Sequence, residues 1–198
     1  MPRQIPIKEV ADAAISGIEK AYKFHDELSG GEPFSIAPEY LVTCHIAQSI
    51  YKLDGSLCLL LEHAISDIIE CSGAKCCGKY ADDLRKNGRS DIVLYWKKGD
   101  PRAIIEVKSP VVGTYEYSKD LYRIAEILKL NKKDHTLQFC TFAYYLGKAK
   151  NNLADANDKI YEDAKEIADY YGHKFEHFEK VHPRYDIPWL ASCIIFKK

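Results

Sequence analysis

Two carboxylates that could bind a metal ion and one lysine that could stabilise negative charge occur in two short neighbouring segments of this chain. Asp91 lies within the segment GRSDIVLY, and Glu106 and Lys108 end the segment RAIIEVK. Side chains two positions apart on a strand share a face, so Glu106 and Lys108 project together while Val107 turns into the core. A pair of carboxylates can hold Mg²⁺ against a phosphate, and a nearby lysine can orient water or offset developing charge. This combination suits phosphodiester hydrolysis.

A β-hairpin is the simplest element that would position these side chains. Both segments are rich in β-branched and aromatic residues, and the intervening WKKGDP supplies the Gly, Asp and Pro of a turn. The apolar run at residues 103–105 predicts a strand buried on both faces, where terminal charges are hard to explain as a solvated surface. The alternative is that Asp91 caps a turn while Glu106 and Lys108 form a surface ion pair.

The pattern resembles the PD-(D/E)XK, or restriction-endonuclease-like, nuclease superfamily, whose core hairpin carries an Asp and then Glu-x-Lys on the next strand. The match is Asp91 followed by Glu106-Val107-Lys108, and Ser90 stands where the superfamily often has Pro. The resemblance implies that both carboxylates, with the backbone carbonyl of Val107, bind one or two Mg²⁺ ions, for which Mn²⁺ can substitute. It also implies that Lys108 positions the attacking water or stabilises the transition state.

A further acidic residue often comes from the helix before the sheet in this superfamily, and Glu39 is the first choice for it here. Glu39 begins a predicted helix, where a carboxylate would equally suit an interaction with the helix dipole. Glu62, near the end of a predicted strand, competes for the same role. A carboxylate at that position would equally pair with a neighbouring Lys or His.

The helix after the hairpin carries two basic residues on one face, Lys119 and Arg123. In members of the superfamily the corresponding helix often borders the active site, so the resemblance assigns both residues to nucleic-acid phosphate. The alternative, slightly favoured by the residues themselves, is an exposed helix surface paired with Asp120 or Glu126.

The hydrophobic pattern predicts helices and strands in an order that agrees with the superfamily core. Predicted helices cover residues 7–28, 38–51, 116–130 and 154–171, and predicted strands cover 56–63, 88–95, 102–108, 136–146, 175–181 and 190–196. Residues 64–70 fit either a short helix or a continued strand. The predicted fold class is α/β, a mixed central sheet flanked by helices, with an αβββαβ core at about residues 38–146 and extensions at both ends. All 198 residues are expected to form one domain.

Composition sets limits on partners and location. The net charge of −1 argues against coating nucleic acid by bulk electrostatics but permits a local basic surface. Seven cysteines scattered through apolar stretches predict reduced thiols. Zinc binding by Cys71, Cys76 and Cys77 near His63 is disfavoured by their spacing. The sequence has neither a long apolar run nor a basic-then-apolar leader, so a cytoplasmic protein with no membrane partner is expected.

The sequence therefore predicts a Mg²⁺-dependent nuclease, with DNA as the favoured nucleic-acid partner and endonucleolytic cleavage as the favoured reaction. A symmetric homodimer would be the simplest way to cut both strands of a duplex. One alternative is a catalytically silent module of the same fold that binds nucleic acid or a protein. Another is a metal-dependent hydrolase of a different phosphate ester. Retention of Asp91, Glu106 and Lys108 favours an active enzyme over the silent module.

Overall fold

The structure, a computed structural model, describes residues 5–53, 58–74, 84, 87–111, 114–130, 135–147, 150–183 and 188–198. The helices of this part of the chain are α1 (Ile7–Ser29), α2 (Glu39–Tyr51), α3 (Ile65–Ser72), α4 (Thr114–Lys129) and α5 (Lys150–Tyr171). The strands are β1 (Cys58–Ala64), β2 (Arg89–Tyr95), β3 (Pro101–Lys108), β4 (Phe139–Gly147), β5 (Lys174–His182) and β6 (Trp189–Lys197). The predicted helices and strands are confirmed, with ends shifted by a few residues, and the ambiguous segment 64–70 folds mainly as α3.

One six-stranded sheet runs through the protein in the order β1-β2-β3-β4-β6-β5. The pairs β1–β2 and β2–β3 are antiparallel, β3–β4 is parallel, and β4–β6 and β6–β5 are antiparallel. The parallel pair requires a crossover, which contains α4. The protein is therefore a mixed α/β fold whose open sheet is flanked by helices, as predicted.

The hairpin that carries the acidic residues forms as its sequence predicts. Ile92 pairs with Ile105 and Val93 with Ile104, and Trp96 N donates a 2.8 Å hydrogen bond to Asp100 O across the turn. Gly99 adopts a φ of 93°, a left-handed conformation that suits glycine. Residues 103–105 are completely buried, because helices cover both faces of the sheet here.

Two hydrophobic layers enclose the sheet. Helices α1 and α2 pack on one face of the sheet, against Ile92, Ile105 and Val107. Helices α3, α4 and α5 pack on the other face, against Val93 and Ile104. Val107 is 2% exposed, which confirms that it turns into the core.

A close crossing of α1 over α2 sets the position of α2. A Cβ atom added at Gly17 would lie 2.5 Å from the Cα of Ile46, so only glycine allows this approach. The crossing matters for chemistry because the first turn of α2 carries Glu39.

The remaining predictions about the chain concern thiols and membranes. Cysteines 44, 58, 71, 140 and 193 are free, whereas Cys76 and Cys77 fall outside the described residues. Within the described part of the chain, no helix has both the length and the apolar character needed to cross a bilayer.

Candidate functional site

Asp91 and Glu106 lie side by side on neighbouring strands. The pairing of Ile92 with Ile105 puts Asp91 of β2 next to Glu106 of β3, on the sheet face that α4 covers. The Asp91 carboxylate reaches across to β3, where its Oδ2 accepts a 2.7 Å hydrogen bond from the backbone N–H of Val107. One carboxylate oxygen of Asp91 is thus held by the protein.

Glu106 is buried and is held in a similar way by a cation. Its side chain is 2% exposed, and its Oε2 accepts a hydrogen bond of 2.6 Å from Arg123 Nη2 of α4. The same Arg123 nitrogen lies 3.0 Å from Asp120 Oδ1. The other oxygen of Glu106, Oε1, is buried with no hydrogen-bond partner among the described residues. A buried carboxylate oxygen without a donor is costly, so Oε1 is the candidate ligand atom of Glu106.

Glu39 approaches the end of β3 from the opposite layer. Its Oε2 accepts a 2.9 Å hydrogen bond from the backbone N–H of Ser109 and lies 3.5 Å from Lys108 Nζ. Both contacts join the first turn of α2 to the residues that follow Glu106. Glu39 therefore holds Lys108 in this structure, and direct binding of a metal by Glu39 stays a prediction.

Crowding and burial shift the acidity of the two carboxyls. Burial raises the pKa of Asp91 to about 6; the Val107 N–H opposes this shift, and the charges of Glu39 and Glu62 add to it. Burial also raises the pKa of Glu106, and the Arg123 guanidinium offsets only part of that rise. Both carboxyls would be stabilised as anions by an added cation.

Glu62 lies beside Asp91 on the edge strand β1. It falls between the paired residues Leu61–Ile92 and His63–Ser90, and it adopts a left-handed backbone with φ of 52°. A non-glycine residue with this backbone conformation is uncommon and costs free energy. The Glu62 side chain is exposed, so it faces solvent near the half-buried Asp91.

The two basic residues predicted on an exposed face of α4 occupy different environments. Arg123 is 6% exposed, and its guanidinium is directed at Glu106 and Asp120, so the expected pairing with Asp120 is confirmed and the expected exposed position is wrong. Its large size and long stem let it stay among apolar neighbours of α4 while pairing with both carboxylates. Lys119 is half-buried. A role for either residue in contacting phosphate stays a prediction.

The pairing of Arg123 with Glu106 is the contact that sequence reasoning missed. The signal was present in part, because Asp120 and Arg123 stand three residues apart and directly border the apolar residues Leu121 and Ile124 of α4. Helical spacing alone could not show that the side of α4 with Asp120 and Arg123 faces Glu106.

The oxygen donors fit a hard divalent cation. Asp91, the free Oε1 of Glu106 and the Val107 carbonyl match the oxygen ligands that Mg²⁺ and Mn²⁺ accept. Among the residues that the structure describes, no cluster of three or more His, Cys, Asp or Glu side chains is arranged to hold a metal. The candidate centre therefore has two carboxylates, and backbone or water oxygens would complete its coordination.

Comparisons of the chain with protein-family models, with curated proteins and with solved structures give no match. Membership of a nuclease superfamily therefore stays a proposal. Its support comes from the strand order and from the side chains at the end of the hairpin.

Proposed function

We propose that this chain is a Mg²⁺-dependent nuclease of the PD-(D/E)XK type that cleaves phosphodiester bonds within DNA. The observation that carries the proposal is the pair of adjacent carboxylates at Asp91 and Glu106. Each has one oxygen held by a protein donor, and the buried second oxygen of Glu106 has no donor among the described residues. Two such groups beside a lysine suit metal-assisted attack on a phosphate.

The order of elements supports this assignment. The segment from α2 through β1, β2, β3 and α4 to β4 follows the αβββαβ order of the superfamily core, with an antiparallel β1-β2-β3 meander and β4 parallel to β3. Asp91 stands on β2 and Glu106 on β3, the two strands on which the resemblance expects them. Fold alone does not establish function, so the side chains carry more weight than the topology.

Each residue of the site has a separate proposed role. Asp91, Glu106 and the Val107 carbonyl would hold the cation, which when bound supplies charge for the phosphate and acidifies water. Lys108 is 22% exposed and is held by Glu39, and its ammonium would orient water or stabilise the charged transition state. Glu39 also fixes the backbone after β3 through Ser109.

A nuclease assay on three substrates tests the proposal. Duplex DNA, single-stranded DNA and RNA of one sequence are incubated with the full chain and Mg²⁺ or Mn²⁺, with and without chelator. Cleavage of internal bonds in DNA is expected, with loss of all activity in chelator and in Asp91→Asn.

The matched control is Asp12→Asn, which removes a carboxylate of the same size from an exposed α1 ion pair, 2.6 Å from Lys8 Nζ. It is expected to cut like the parent. Cleavage that survives both chelator and Asp91→Asn would overturn the proposal. Saturable binding of nucleic acid with no cleavage under any condition would favour the silent binding module instead.

A further inference from the structure

Arg123 forms a bridge between two carboxylates under the proposed metal site. Its Nη2 lies 2.6 Å from Glu106 Oε2 and 3.0 Å from Asp120 Oδ1, and all three side chains are at most 14% exposed. We call these three residues the Arg123 bridge. Charge-assisted hydrogen bonds with little access to water are strong and directional, so the bridge fixes the orientation of the Glu106 carboxylate.

The bridge leaves Glu106 with one oxygen for a ligand. Oε2 is occupied by the guanidinium, whereas Oε1 is buried without a partner among the described residues. Asp91 shows the same division, because its Oδ2 is occupied by the Val107 N–H. A cation between these carboxylates would meet one available oxygen from each.

One oxygen per carboxylate suits some cations better than others. Mg²⁺ takes six ligands in a compact octahedron and keeps several waters, so single carboxylate oxygens satisfy it. Ca²⁺ is larger, takes six to eight oxygens and commonly binds a carboxylate through both. A carboxylate whose second oxygen is blocked therefore favours the smaller ion.

We propose that Arg123, held by Asp120, is a positioning residue that fixes Glu106 as a single-oxygen ligand and makes the site favour Mg²⁺ over Ca²⁺. The inference rests on the proposed function, since it concerns the same metal site. It assigns Arg123 to the support of a metal ligand rather than to nucleic-acid phosphate.

Metal titrations without nucleic acid test the bridge. Free Mn²⁺ is followed by electron paramagnetic resonance as it binds the full chain, and Mg²⁺ or Ca²⁺ is then added to displace it. Arg123→Gln is expected to weaken Mn²⁺ binding about 10- to 100-fold, the range found when a group that orients a metal ligand is removed. The preference for Mg²⁺ over Ca²⁺ is expected to fall at least about threefold, because Glu106 can then offer both oxygens.

Two further variants separate positioning from simple loss of structure. Arg123→Lys keeps the charge and one donor, so it is expected to recover part of the affinity and of the preference for Mg²⁺. Lys129→Gln removes the same charge from an exposed position on the same helix, where the ammonium lies 4.9 Å from the Tyr171 ring centroid, and is expected to change neither. Circular dichroism confirms that each variant is folded.

Asp120→Asn covers the case in which Arg123→Gln does not fold. It keeps Arg123 but weakens its second anchor, so a smaller loss of affinity and of Mg²⁺ preference is expected. One result would overturn the role of the bridge and leave the proposed function intact. In it, Asp120→Asn and every folded Arg123 variant keep the wild-type Mn²⁺ affinity and Mg²⁺ preference, while Asp91→Asn loses Mn²⁺ binding. Absence of saturable Mn²⁺ binding in the wild type would overturn both.

Discussion

Two regions of this protein bury polar side chains, and they do so in opposite ways. Between α5 and the edge of the sheet formed by β4, β6 and β5, Tyr144 donates a 2.7 Å hydrogen bond to Asn157, and Asn157 donates one of 2.6 Å to Glu179. At the end of the β2–β3 hairpin, Asp91 and Glu106 are crowded, have raised pKa values and include a buried oxygen with no partner among the described residues. In the first arrangement the Asn157 side chain both accepts and donates a hydrogen bond, whereas in the second Oε1 of Glu106 has no partner among the described residues.

The edge network also includes a histidine and a serine. His177 Nε2 lies 2.7 Å from Ser192 Oγ, and the Ser192 hydroxyl donates to Phe178 O at 3.2 Å. Burial lowers the pKa of His177, so a neutral ring is expected at neutral pH. Polar groups paired in a network stabilise and specify a fold, whereas clustered acids with raised pKa values are typical of functional sites.

Nuclease activity is expected to show the largest difference between the two regions. Asp91→Asn and Glu106→Gln are each expected to lower nuclease turnover roughly a thousandfold or more, because a charged metal ligand is lost while the side-chain shape is kept. Asn157→Ala is expected to leave turnover per folded molecule within about twofold. Initial rates on DNA at saturating Mg²⁺ measure this contrast. Equal losses in all three variants would remove the distinction between the regions.

Protein stability is expected to depend on the Asn157 network more than on the two carboxylates. Asn157→Ala removes the hydrogen bonds of Asn157 to Tyr144 and to Glu179, so the free energy of unfolding is expected to fall by about 1–3 kcal/mol. Urea unfolding of the metal-free protein measures it. A neutral effect would show that the network is dispensable for the fold.

In the metal-free protein, the stability advantage of Asp91→Asn over the wild type is expected to grow as pH rises. The pKa of Asp91 is about 6 in the folded protein against an ordinary value of 3.8, so the folded state binds more protons between these values and ionisation destabilises it. The variant is expected to match the wild type below pH 4 and to exceed it by about 1–3 kcal/mol at pH 7. Unfolding curves at both pH values measure this. A variant that is less stable at pH 7 would contradict the shift.

Glu39→Gln is expected to give the smallest effect on stability. The amide can still accept from the Ser109 N–H, and the lost ion pair with Lys108 is partly exposed, so the cost should be below about 1 kcal/mol. Turnover is expected to fall about tenfold, because Lys108 loses the partner that positions it. A thousandfold loss together with weakened Mn²⁺ binding would instead assign Glu39 as a metal ligand.

Local signals were sufficient to predict much of the fold. The β-branched runs and the Gly, Asp and Pro of the turn defined β2 and β3, and regular apolar spacing defined α1 and α2 within a few residues. Residues 64–70 stayed ambiguous because a short apolar run suits a buried strand or a helix equally well.

Contacts that depend on how elements pack could not be predicted from the sequence. Glu39 reaches Ser109 only because α1 crosses α2 closely at Gly17 and so sets where α2 begins relative to β3. The sequence favours an exposed face for Arg123 because charged residues are seldom buried, but the partner that makes its burial favourable, Glu106, belongs to β3. The acidic pair was found because both members lie on one hairpin.

The most direct test of the central claim is a crystal structure of the full chain grown with Mn²⁺, with anomalous scattering recorded to locate the ion. An anomalous peak within coordination distance of Asp91 and of Glu106 Oε1, with Arg123 still on Oε2, is the predicted result. Absence of a peak at these carboxylates under saturating Mn²⁺ would contradict the metal site and, with it, the proposed nuclease.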